Sequence, residues 1–500
     1  MILAEPDDAF ARELTTSTRP PAWANPTPKE RYHLVVLGGG PAGLVCATGA
    51  AGLGAKVALV ERYRLGGDCL HFGCVPSKAL LRCARAAAEV RRAAEFGVIA
   101  GELRVDFARV MERLRKLRAE LSHADSAERF ANLGVDVFFG DGSFLDRETI
   151  AVGSAKLRFL RAVIATGARP AEPGLPGLNP GDYYTNETIF NLTELPRRLL
   201  VLGAGPIGCE LAQAFARLGS EVHLVNRSPR LLAREEPEAA EIVCSALGRD
   251  GVKMHMGVRL IDGGRGFLRV EEKGQTVRLD GDALLAAVGR QANVSSLNLA
   301  AAGIESTERG VTVDDRLRTT NPRVFAAGDV CSTYRYTHAA DAMARLVLRN
   351  ALFFGRARAS RLVIPHCTYT HPEVASVGLT AREAQERGIA ITTIRVPLAD
   401  VDRAVLDGET DGFAMVHVRQ GNDRIVGATI VAAHAGDLIS ELVQAMTRGV
   451  ALGALASVVR PYPTQSEVWK RIADAHQRSR LNPKAHWGLR QVLWLRELLG

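Results

Sequence analysis

Two turns of one pattern, Gly38-Gly39-Gly40-Pro41-Ala42-Gly43 and Gly203-Ala204-Gly205-Pro206-Ile207-Gly208, constrain the fold of this chain more than any other feature. Each follows a short apolar run, His33–Leu37 or Arg198–Leu202, and opens an alanine-bearing stretch that reaches about Gly54 or Leu218. A second apolar run comes next, Val57–Val60 ending at Glu61 and Val222–Val225 ending at Asn226. Strand, glycine turn, helix and strand form the unit that lays a pyrophosphate on a helix N-terminus. In that unit Gly38 makes the tight turn, Gly40 lets the backbone approach the phosphates, and Gly43 packs helix on strand. Gly203, Gly205 and Gly208 repeat the set, and Glu61 stands where an acid binds a ribose hydroxyl pair. One unit has room for one pyrophosphate, so two units predict two dinucleotides on two Rossmann-like α/β domains.

The chemistry such cofactors would serve lies between the units, in Gly66-Gly67-Asp68-Cys69-Leu70-His71-Phe72-Gly73-Cys74-Val75-Pro76-Ser77-Lys78. Residues five apart in an unbroken helix rise about 7.5 Å, beyond the roughly 4.4–6.8 Å that a disulfide takes between Cα atoms. Cys69 and Cys74 can therefore pair only through an irregular turn, which Gly66, Gly67 and Gly73 permit. Pro76 is tolerated in the first turn of a helix, so Cys74 is expected near a helix N-terminus, where the dipole favours a thiolate. Cys69 is expected to be the more accessible partner. Zinc sites use shorter spacers and a second ligand pair. None follows here, and no metal ligands are assigned.

This stretch resembles the signature of the pyridine nucleotide-disulfide oxidoreductases: a glycine pair, Cys, four residues, Cys, then Val/Ile-Pro-Ser-Lys. The resemblance covers roughly residues 31–475 and includes His371-Pro372-Glu373-Val374-Ala375 and Gly378-Leu379-Thr380, which open the family's dimerisation domain. It implies a homodimer with an active site shared across the interface, FAD on the first unit and NAD(P) on the second. Electrons would pass from NAD(P)H through flavin to a Cys69–Cys74 disulfide, with Cys74 as the thiolate against the isoalloxazine and Cys69 as the interchange thiol. Lys78 would polarise the flavin and pair with Glu210. The resemblance also assigns FAD contacts to Gly67, Thr166 and Gly167, to Arg290, and to Gly328 and Asp329 of an A-x-G-D element. Asn226 stands where an acid would bind the ribose of NADH. Arg227, Arg230 and Arg234 follow it, and their guanidinium groups suit a 2′-phosphate, so NADPH is preferred to NADH.

The expected organisation has five parts. Residues 1–30, polar and proline-bearing, form a disordered or loosely docked arm. Residues 31–171 and 290–360 make a discontinuous FAD domain and 172–289 the NAD(P) domain, with helices around 79–95 and 106–132 between the two glycine turns. From 361 to 475 alternating strands and two helices read as an α+β dimerisation domain. Residues 476–500 form an apolar tail helix interrupted by Arg490, Gln491, Arg496 and Glu497, which packs on its own dimer or lies on a membrane surface. Eight cysteines in 500 residues are too few for a secreted disulfide scaffold. No apolar run is long enough to cross a bilayer, and Glu5, Asp7 and Asp8 precede any apolar run, so a cytoplasmic protein without a signal peptide is expected. The net charge of +8 comes without a basic stripe interleaved with aromatics, which argues against nucleic acid.

The electron acceptor is read from the last motif. Dihydrolipoamide dehydrogenases and disulfide reductases carry His-Pro-Thr and then Glu, a dyad that moves the proton of the interchange thiol. Here the stretch is Tyr462-Pro463-Thr464-Gln465-Ser466-Glu467. A phenol, with a pKa near 10, is a poor base at neutral pH. Tyrosine at this place resembles the mercuric reductases, as does Tyr336-Thr337-His338-Ala339-Ala340-Asp341, although no cysteine follows Cys367. His71 replaces an asparagine usual in many relatives, and His338 is a candidate substitute acid–base group. The expected activity is a mercuric-reductase-like NAD(P)H oxidoreductase with a small-molecule or metal-ion acceptor. The alternatives are dihydrolipoamide or low-molecular-weight disulfide chemistry, or a slow-turnover redox-sensing flavoprotein.

Overall fold

The structure, a computed structural model, describes residues 5–481 and 483–500. It divides into two compact units, one formed by the chain up to Leu231 with Leu247–Leu362, the other by Leu232–Ala246 with the chain from Val363 onward. The two nucleotide-binding domains expected separately thus lie in a single unit, and the short stretch Leu232–Ala246 leaves the second of them for the other unit.

In the first unit Tyr32–Leu37 is the centre of a seven-stranded sheet. It pairs in parallel with Val57–Glu61 on one side and Ala155–Ile164 on the other, with Leu37 opposite Val60 and Ile164. Val135–Phe139 and Val324–Ala326 extend the parallel part, so the ends of four strands converge beside the turn at Gly38. Strands covered on both faces read as continuous apolar runs, and Leu34, Val35 and Val36 are fully buried. The second glycine turn sits on a smaller parallel sheet in the order Lys253–Met256, Glu221–Asn226, Arg198–Leu202, Ala283–Ala286. The legs joining the two sheets run antiparallel, with Ala168 opposite Ala292 and Pro170 opposite Arg290. This pairing carries Asn293 back to Thr166 and Gly167, its backbone amide donating to the Gly167 carbonyl at 3.0 Å.

The expected helix at 79–95 begins earlier and spans Cys74–Arg92. Pro76 is its third residue, inside the first turn where a missing N–H is harmless. The expected helix at 106–132 is two, Phe107–Ser122 and Ala127–Asn132, because the Ser126 hydroxyl accepts from the Arg129 amide at 3.3 Å and starts the second. The N-terminal arm corrects its expectation. It contains the helix Ala9–Thr18, capped by Asp8, with Leu14 and Thr18 buried, and its later part is held by the Trp23 indole on the Val137 carbonyl.

The second unit is a five-stranded antiparallel sheet, with strand Glu373–Gly378 paired to Ile425–Ala432 and that in turn to Phe413–Arg419. Helices Ala435–Arg448 and Glu467–Ser479 cover one core, in which Trp469 is fully buried and its indole donates to the Leu438 carbonyl at 3.0 Å. The tail helix Pro483–Leu499 is exposed from Trp487 to Leu499. Among the described residues no helix is long and apolar enough to cross a membrane.

Candidate active site

The two glycine turns repeat each other in detail. Gly38 and Gly203 take φ of +106° and +109°, a region that L side chains rarely adopt. A Cβ on Gly43 would lie 1.8 Å from the Gly38 carbonyl oxygen, and one on Gly208 1.9 Å from that of Gly203, so both must be glycine for the helix to reach the strand. Gly40 and Gly205 cap helices Pro41–Gly52 and Pro206–Leu218; a Cβ on Gly40 would make an ordinary 3.7 Å contact with Gly67 Cα, and one on Gly205 would meet nothing within 4 Å. Packing alone does not require glycine at these two positions.

The redox stretch is fastened to the first turn. The Gly66 amide donates to the Gly39 carbonyl at 2.8 Å, and a Cβ on Gly67 would lie 2.6 Å from Gly40 Cα. Cys69 sits in the short helix Gly67–His71, and Gly73 breaks the chain direction before Cys74 opens the long helix. All eight cysteines are free thiols, and Cys69 and Cys74 hydrogen-bond to each other. The hydrogen bond from Cys69, then the Thr337 hydroxyl 3.4 Å away and the Lys78 ammonium, pull the Cys74 pKa down to about 6 against the opposing effect of burial. The same contact and burial push the Cys69 thiol far up, so the pair divides into one anion and one thiol. The order of accessibility is the reverse of the expected one: Cys74 is exposed and Cys69 half-buried. Cys74 is the first residue of its helix, whereas Cys69 lies inside the preceding turn.

Lys78, one helical turn beyond Cys74, places its Nζ 2.8 Å from Glu210 Oε2, and the Glu210 side chain is 7% exposed. Arg290 lies 3.3 Å from Asp68 and 3.6 Å from Asp329, and donates to the Ala168 carbonyl at 2.7 Å. Burial pushes the Asp329 carboxyl above its ordinary range, and Nε of Arg290 is buried with no hydrogen-bond partner. Asn186 supports the turn by donating to Asp68 at 3.1 Å and to the Phe72 carbonyl at 3.2 Å. Beyond the glycine turn a cleft is lined by Gly38, Glu61, Gly142, Thr166 and Asn293. At its rim Glu61 accepts from the Gly39 and Tyr63 amides, each at 2.6 Å.

The pattern of the family described as "Pyridine nucleotide-disulphide oxidoreductase" matches residues 32–344, and that of its dimerisation domain matches residues 364–473. The chain belongs to this family. As a member it is an NAD(P)H-dependent flavoprotein oxidoreductase whose cofactors are FAD and a pyridine nucleotide. It is 34% identical over 472 residues to the mercuric reductase of Bacillus cereus, covering 93% of this chain and 74% of that protein. It is 32% identical to the dihydrolipoyl dehydrogenase of Chlamydia muridarum, covering 89% and 96%. The structure of the HOCl-induced flavoprotein disulfide reductase RclA from Escherichia coli is similar, with a TM-score of 0.79 at 27% identity, covering 89% of this chain and 99% of that one.

In this oxidoreductase the second glycine turn is followed by several expected site residues. Asn226 ends its strand with Oδ1 facing the Ala204 amide at 3.4 Å, Arg227 is exposed and Arg230 half-buried. Arg234, Tyr462 and Glu467 belong to the second unit. There Tyr462 is 71% exposed and donates its hydroxyl to Asp402 at 2.8 Å, which pushes the phenol above its ordinary pKa. Glu467 opens a helix, pairs with Arg471 through Oε1 at 2.9 Å, and keeps Oε2 buried without a partner. His338 is exposed, its ring parallel to that of Tyr336 at 5.5 Å. Thr337, Asp68 and Asn186 were not singled out from sequence. Thr337 lies 263 residues from Cys74, and no spacing rule joins them.

Proposed function

We propose that this protein is an FAD-dependent NADPH oxidoreductase of mercuric-reductase-like type, which uses Cys69 and Cys74 to reduce a thiophilic metal ion. The observation that carries the reading is the division of the cysteine pair into a Cys74 thiolate and a Cys69 thiol. The FAD site fits the residues present. The bare helix N-terminus at Gly40, the carboxylate of Glu61 at the cleft, and the buried Arg290 Nε, which makes no hydrogen bond, suit a pyrophosphate, a ribose and the chain between them. When bound, FAD would supply two-electron transfer between a nicotinamide and the Cys69–Cys74 pair.

The protein's own residues then have distinct roles. Gly38, Gly43, Gly67, Thr166, Gly167, Gly328 and Asp329 shape or line the FAD site. Lys78, oriented by Glu210, supplies a fixed positive charge beside Cys74. Thr337 and the Cys69 thiol donate to Cys74 and keep it anionic at neutral pH. Gly203, Gly205 and Gly208 hold the nicotinamide dinucleotide, with Asn226 in place of an acid and Arg227 and Arg230 on a 2′-phosphate. Cys69 retains its proton and must lose it to act on an acceptor. Tyr462, raised by Asp402, cannot take that proton at neutral pH, and Glu467 is the remaining candidate across a dimer interface.

A soft metal ion displaces thiol protons as it binds, whereas an organic disulfide needs a base for Cys69 and an acid for the leaving thiolate. The absence of a histidine at position 462 therefore favours a metal ion over dihydrolipoamide or low-molecular-weight disulfides. The test is NADPH oxidation by the FAD-loaded enzyme with Hg(II), Cu(II), lipoamide and oxidised glutathione as acceptors. A metal ion should give the highest kcat/KM and Cys69→Ser should abolish it. A disulfide substrate that outperforms both ions would overturn the acceptor assignment.

A further inference from the structure

The chain before Tyr32 lies outside the family match, yet buried charge ties it to the cysteine turn. The Glu5 carboxylate, its side chain 22% exposed, accepts from Arg64 at 2.9 Å and pairs with Arg118. Arg118 is 2% exposed, and its Nη1 donates to the His71 carbonyl at 2.9 Å. His71 stands between the cysteines, 1% exposed, with Nε2 donating to the Leu65 carbonyl at 2.8 Å. Burial lowers its pKa to about 4, so the ring is neutral and Nδ1 carries no proton. The Leu65 amide in turn donates to the Thr18 carbonyl at 3.2 Å. The turn that presents Cys69 is held at Leu65 and His71, and both ties end on the arm.

We infer that Glu5 is a positioning residue for the Cys69–Cys74 pair: its carboxylate fixes Arg118, and Arg118 fixes the backbone between the two thiols. The inference rests on Cys69 and Cys74 being the redox pair. Without the carboxylate, the Arg64 and Arg118 guanidinium groups lose the anion they share, and a buried charge lacking its partner is strongly disfavoured. Arg118 then leaves the His71 carbonyl and the turn loosens. A looser turn loses more entropy when its ends are joined, so the disulfide forms less readily.

The test is an equilibrium titration of the full-length holoenzyme against a thiol–disulfide buffer, with Cys69 and Cys74 followed by maleimide labelling. In Glu5→Gln the equilibrium constant for disulfide formation should fall about tenfold, a potential about 30 mV less negative. Asp8→Asn weakens a neighbouring tie, the pair between Asp8 and Arg115, without touching His71, and should keep the parent potential. Should Glu5→Gln not fold, Arg118→Lys, which keeps the charge but loses the fork reaching both partners, carries the same expectation. The inference fails if a folded Glu5→Gln or Arg118→Lys keeps the parent potential, or if Asp8→Asn shifts as far. If the parent protein shows no reversible couple at these cysteines, the redox reading fails instead.

Discussion

Cys74 is the cysteine whose surroundings favour the thiolate, and its environment assigns the causes in order. The Cys69 hydrogen bond comes first, with Thr337 and Lys78 adding to it. Alkylation of Cys74 in the reduced enzyme should follow its thiolate fraction, which falls as pH drops through about 6 and is nearly complete at pH 8. Cys69→Ala should move that inflection up toward the ordinary thiol value of about 8.5, and Thr337→Val should move it part of the way. Mass-spectrometric alkylation rates between pH 5 and 9 check both, and an inflection unmoved in Cys69→Ala would exclude the thiol as the main cause. The helix start at Cys74 was legible from Pro76, but the contacts that lower this thiol were not. The exposure order was not, because it depends on which side of an irregular turn each sulfur faces. Lys78 and Glu210 were joined through family resemblance, and the 2.8 Å contact depends on helices Cys74–Arg92 and Pro206–Leu218 lying side by side.

At the scale of elements, the glycine turns separate into packing positions and binding positions. Gly43→Ala and Gly208→Ala would drive a Cβ to 1.8 and 1.9 Å from backbone oxygen, where nothing flexible can give way. Each should destabilise the fold by about 1–3 kcal/mol or more, read as a lower midpoint in urea. Gly205→Ala meets nothing within 4 Å, so it should fold with an unchanged midpoint while KM for the pyridine nucleotide rises about tenfold. The same contrast tests the nucleotide preference. Arg227→Ala and Arg230→Ala should each raise KM for NADPH about fivefold to tenfold, near 1–1.4 kcal/mol, and change KM for NADH little. An equal rise for both would remove the 2′-phosphate assignment. These turns were legible because strand, glycine spacing and helix follow one another within a few residues. The arm helix Ala9–Thr18 was missed because its buried residues are few and the helix it packs on, Phe107–Ser122, lies about a hundred residues away.

For the whole molecule, the dimerisation match ends at residue 473 and the tail helix begins at Pro483. Deleting 483–500 should leave a dimer by sedimentation velocity, and a monomer would place essential dimer contacts in the tail. Seen along its axis, Arg490 and Glu497 share one strip and Arg496 lies on another side, while Trp487, Leu489, Val492, Leu493, Trp494 and Leu495 are exposed around it. The apolar residues do not gather into a single stripe of the kind a surface-lying helix presents. What the sequence determined by itself was local: two dinucleotide-binding turns, a cysteine pair at a helix start, and a sheet domain at the end, each encoded by residues close enough to constrain one another's backbone. Only the tertiary structure decided which distant groups complete the site. Thr337 on Cys74, Arg290 between Asp68 and Asp329, and Glu5 on Arg118 are contacts across long stretches of chain. Their formation depends on how sheets and helices pack, which no short-range pattern encodes.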